Sequence, residues 1–71
     1  MKMEFVEKEL KEWGEILIVT SGGEHFEIHV GDTEFDKENR VIRLKSPTAQ
    51  FVIDGDSVES IQKHYGHLDD D

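Results

Sequence analysis

Four histidines, 17 acidic residues and no cysteine decide which chemistry this 71-residue chain could carry. His25 and His29 alternate with Glu27, so all three fall on one face of an extended segment. Four residues of strand span about 13 Å, and zinc–ligand bonds are only about 2 Å, so these two histidines cannot share one ion. His64 and His67 flank Gly66 without a third ligand in sequence. Asp32, Glu34, Asp36 and Glu38 imitate the start of a calcium loop. The pattern then fails, because Lys37 stands where the glycine is required and Arg43 where the bidentate glutamate belongs. Ser57 and His64 lack the glycine-framed turn of a nucleophile elbow, and no glycine-rich phosphate loop is present. A domain this small also has little room for a pocket of about 300 Å³ or more. The expectation is a chain with no catalytic centre, no metal and no cofactor.

Charge sets the next bound. Lysine and arginine total 8 against 17 acids, a net charge of −9. That balance opposes binding to phosphate backbones, which depends on Lys and Arg. It favours solubility and basic partners. The one basic stretch is Arg40, Arg43 and Lys45, with no acid from residue 40 to residue 53. The plain reading of the remaining charge is a solvated acidic surface; the sharper one is a mimic of nucleic acid presented to a basic protein.

The elements that must position these groups are short. Residues 4–13 place Val6, Leu10 and Trp13 at helical spacing, with Phe5 alongside and Gly14 as a stop. Residues 15–20 are apolar on both faces, as in a central strand. Ser21-Gly22-Gly23 is a turn signal. Residues 24–30 point Phe26, Ile28 and Val30 one way and His25, Glu27 and His29 the other; Gly31 marks a bend, after which Thr33 and Phe35 continue. Residues 40–45 send Ile42 and Leu44 inward and Arg43 and Lys45 outward. Pro47 ends that strand. Residues 49–53 turn Phe51 and Ile53 inward before the turn Asp54-Gly55-Asp56. Residues 57–65 fit either a helix capped by Ser57 or a further short strand, and the strand is preferred. The sum is one α+β domain over residues 1–68: a short N-terminal helix, then a four- or five-stranded, strongly bent antiparallel sheet. Residues 69–71 form a disordered acidic tail. The longest apolar run is Ile16–Val19, far below the ~20 residues that cross a bilayer. The start lacks the apolar stretch of a secretory signal, so the expected compartment is the cytoplasm.

Two clusters resemble the signatures of the Sm-like RNA-binding family. Phe35-Asp36 and Asn39 precede the apolar run Val41–Leu44, and Ile53, Gly55, Val58 and Ile61 keep the spacing of the second signature. The resemblance implies a helix followed by five strands closing a small SH3- or Sm-like barrel. It implies RNA contact by Asp36, Asn39, Asp54 and Gly55, and rings built by pairing the fourth strand with a neighbour's fifth. Asp54, however, stands where the family carries a basic residue, and a carboxylate there repels phosphates. The residues therefore favour a non-catalytic acidic interaction module with a protein partner or with itself. Its candidate contacts are Arg43 and Lys45, or His25, Glu27 and His29. RNA binding and nucleic-acid mimicry are the alternatives, and no membrane is implied.

Overall fold

The computed structural model describes residues 1–65. Helix α1 (Met3–Trp13) leads into six strands: β1 (Glu15–Thr20), β2 (His25–His29), β3 (Thr33–Asp36), β4 (Val41–Lys45), β5 (Gln50–Asp54) and β6 (Val58–Gln62). They form two antiparallel three-stranded sheets, ordered β2-β1-β6 and β3-β4-β5. The α+β class is as the sequence implies. Strand count and closure are not.

The expected single sheet divides because residues 25–36 change partner midway. β2 pairs β1, whereas β3 pairs β4. At the break the Asp32 carboxylate accepts bonds from the His29 amide at 2.9 Å and the Thr33 hydroxyl at 2.7 Å. A side chain thus satisfies a backbone donor that a continuous ladder would have used. The expected barrel does not close either. Among the described residues β5 pairs only β4 and β6 pairs only β1, so neither sheet closes, and β2, β3, β5 and β6 are all edge strands. Residues 58–62 are strand, settling the ambiguity at that end. The proposed acidic tail, Gly66 and His67 lie outside the described residues.

The core gathers Met3, Val6 and Leu10 of the helix with Ile16, Ile18, Ile28, Ile42, Leu44, Ile53 and Val58. Alternation explains most of it. β1 buries Ile16, Ile18 and Thr20, while Leu17 and Val19 on its other face are half-buried, so β1 is central but covered fully on one side only. β4 buries Ile42 and Leu44. The helix buries positions 3, 6 and 10, so its stripe starts one turn earlier than Val6, Leu10 and Trp13 imply. Trp13 is the last helical residue and lies 37% exposed. Its ring meets Tyr65 edge-on at 5.8 Å and lies under the Lys63 ammonium. No helix among the described residues is long and apolar enough to cross a membrane.

Candidate functional site

The edge strand β5 differs from the rest of the surface. It hydrogen-bonds to β4 along one side only. A tight turn delivers it: the Ser46 hydroxyl oxygen accepts the Ala49 amide at 3.0 Å, and the Ser46 amide donates to the Ala49 carbonyl at 2.8 Å. Between Lys45 and Asp54 there is no charged side chain. Within that neutral stretch Phe51 is 40% exposed and Val52 59% exposed. Ile53 goes inward as alternation predicts, but Phe51, expected inward beside it, does not. It leans on Phe26 at the border of the two sheets, ring centres 5.6 Å apart. A groove of about 300 Å³ opens there between Phe26, Phe51, Thr20 and Ser57.

The other predicted contacts are partly occupied within the molecule. Arg43 donates to Asp36 Oδ2 at 2.7 Å. That bond, with those from the Asn39 side chain and backbone, holds the Asp36 carboxyl far below the usual carboxylate range. The same bond raises Arg43. Arg43 is therefore a paired residue and not an open cation. Lys45 is exposed at the end of β4, where its amide donates to the Asp32 carbonyl at 3.0 Å.

Of the β2 histidines, His25 is exposed and apart. His29 and Glu27 join Glu15 of β1, which stands opposite His29 in the register. The His29 ring also bonds Asp32 at 2.9 Å. Partial burial works against a charged imidazole, but the Asp32 bond and the charges of Asp32, Glu15 and Glu27 outweigh it and raise the His29 pKa. Burial likewise works against the charged Asp32, and the bonds from Thr33 and His29 outweigh it, lowering that carboxyl.

Asp36, Asn39, Asp54 and Gly55 occupy two turns that touch. The Gly55 amide donates to the Arg40 carbonyl at 2.8 Å. Asn39 is turned onto Asp36, its amide at 3.0 Å and its side chain at 2.9 Å. The Asp54 carboxylate accepts the Asp56 amide at 3.1 Å, forming the turn into β6. Gly55 is needed for space. A Cβ there would lie 2.2 Å from the buried Met3 sulfur and 3.0 Å from the Arg40 carbonyl oxygen. The glycine in the signature-like phrase thus has a packing reason of its own beneath the helix.

The sequence marks Arg40 only as part of a basic stretch, and it is the residue that knits this end. It sits in the left-handed region at φ 59°, uncommon for a side chain of its size. Its guanidinium bonds both Glu4 oxygens and both Asp56 oxygens, the latter at 2.7 and 3.1 Å. Arg40 in turn lowers Glu4 to about 2, chiefly through its hydrogen bond, and lowers Asp56 in the same way. Asp56 also accepts the Met3 amide at 3.1 Å, so a residue of the β5–β6 turn caps the helix. One turn along the helix, Glu7 meets Lys37 at 2.9 Å. No signal in the sequence pairs residues 4, 40 and 56.

No protein-family model, curated protein or solved structure matches this chain.

Proposed function

We propose that this chain is a non-catalytic interaction module that joins copies of itself through the open edge of β5. One observation carries the reading: an edge strand uncharged from Gln50 to Ile53, with Phe51 and Val52 exposed, in a protein in which 35% of residues are charged. Natural edges are ordinarily blunted by charge, proline or a covering element, because their free amides and carbonyls recruit another strand. Among the described residues, β5 has none of these between Gln50 and Asp54. Of the other edge strands, β2, β3 and β6, we take β6 as the partner: it is five residues long like β5, and the Met1 ammonium already engages the Val58 carbonyl at its start. Pairing β5 of one copy with β6 of the next joins two different surfaces, and such a contact closes into a ring or extends into a filament. The Sm-like resemblance implies the same pairing, since the fourth and fifth strands expected from the sequence are β5 and β6. Each copy brings a charge of −9, so association strengthens as salt screens the repulsion.

Sedimentation velocity at low and high salt tests this. The expected result is an oligomer favoured by salt, and a monomer at both salts for Val52→Lys. That substitution lowers the net negative charge, so loss of assembly on making it is an effect at the edge and not of repulsion. A wild-type monomer under both conditions, or assembly indifferent to Val52→Lys, rejects the proposal.

A further inference from the structure

The surface of β1 and β2 carries an arrangement that association through β5 does not use. His29 Nε2 lies 3.5 Å from Glu15 Oε1 and 3.6 Å from Glu27 Oε2. One nitrogen and one oxygen from each glutamate all lie within 4.8 Å of one another. These separations are longer than an N–H···O hydrogen bond, which runs 2.7–3.2 Å. They match a different object. Two ligand atoms each about 2.1 Å from a tetrahedral zinc ion lie about 3.4 Å apart.

The far side of the ring is also arranged. His29 Nδ1 is 2.9 Å from Asp32 Oδ2. An ionised carboxylate can only accept, so Nδ1 carries the proton and the neutral ring presents the Nε2 lone pair to the two glutamates. A carboxylate behind a histidine is the usual support for a metal-bound imidazole. Asp32 is itself held, by the His29 amide and the Thr33 hydroxyl. The ligand side chains are partly exposed, at 42% for His29, 29% for Glu15 and 51% for Glu27, so an ion can enter from solvent.

We propose that Glu15, Glu27 and His29 form a divalent transition-metal site, with His29 oriented by Asp32. One imidazole and two carboxylates suit Zn²⁺, and the remaining positions are left to water. The site clips the start of β1 to the end of β2. The sequence sets His25 with His29 along one strand; the two glutamate ligands are not evident there, Glu27 lying between the histidines and Glu15 across the ladder.

Calorimetric titration of the full chain with Zn²⁺ is the test, with the thermal midpoint as a second readout. The expected stoichiometry is one ion per chain, with a midpoint that rises with zinc. His29→Ala and Glu15→Gln abolish both signals. Asp32→Asn keeps the turn's acceptor and weakens binding about 10–100-fold, as removal of an outer-shell partner does. His25→Ala leaves binding unchanged. All four residues are partly or fully exposed, and circular dichroism without zinc confirms that each variant folds. No binding by the wild type, or undiminished binding by His29→Ala, overturns the site.

Discussion

The two ends of the Gln50–Asp54 strand's sheet system face opposite fates. At the helix end, surface charge is spent inside the molecule: Arg40 ties Glu4 to Asp56, Lys37 ties down Glu7, and Gly55 lies close beneath Met3. Along the β5 edge the side chains before Asp54 are uncharged, two of them apolar and exposed, and among the described residues no second strand covers them. Both regions are solvent-facing. The first is held by directional bonds between named partners, and the second has backbone groups that pair with no second strand among the described residues, beside exposed apolar area. The acidity of this chain is therefore not spread as an indifferent coat. Part of it is structural, and the surface where it is missing is the one we propose for contact.

Urea denaturation puts the two regions on one scale. Gly55→Ala has the largest expected effect, a loss of about 1–3 kcal/mol, because the added methyl meets a buried sulfur and a backbone carbonyl that cannot both yield. An unchanged urea midpoint would mean that the turn under the helix is looser than its geometry. Arg40→Gln comes next: it removes the double ion pair and lowers the midpoint. Acid does the same to its partners. Glu4 and Asp56 have depressed pKa values in the folded state, so their contribution is complete above the ordinary carboxylate value of 4.5 for Glu4 and fades as pH falls toward about 2. Stability that stays flat from pH 5 to pH 2.5 in wild type, or that falls equally in wild type and Arg40→Gln, would detach this clamp from folding. Smallest is Val52→Lys on the edge, whose monomer stability should stay within about 0.5 kcal/mol of wild type while assembly is lost. A large loss of stability would instead make β5 part of the molecule's own framework and blur the contrast.

The sequence made the local periodicities readable. The alternation of residues 25–29 and 41–45, and the helical spacing of Val6 and Leu10, each reflect one element set against one core. Where a residue's fate depended on a neighbour far along the chain, the reading failed. Phe51 alternates correctly with Ile53, yet its end of β5 runs out past the core and rests on Phe26. Met3 is buried because Gly55 makes room for it, which nothing local to residue 3 reveals. Glu15 faces His29 through strand register, and Arg40 reaches two carboxylates that lie 36 and 16 residues away. Contacts of this kind are set by tertiary geometry, and period and propensity do not encode them.

The cap on the helix has a consequence in time. Met3 begins the helix, and the carboxylate that accepts its amide belongs to Asp56, 53 residues later. An isolated helix of 11 residues is marginal in water. Nearly the whole described chain separates its leading amide from the carboxylate that accepts it. Closing so long a loop precedes the reward for closing it, which slows folding. The start of the helix and the turn that leads into β6 are therefore coupled: this cap exists only once both are in place.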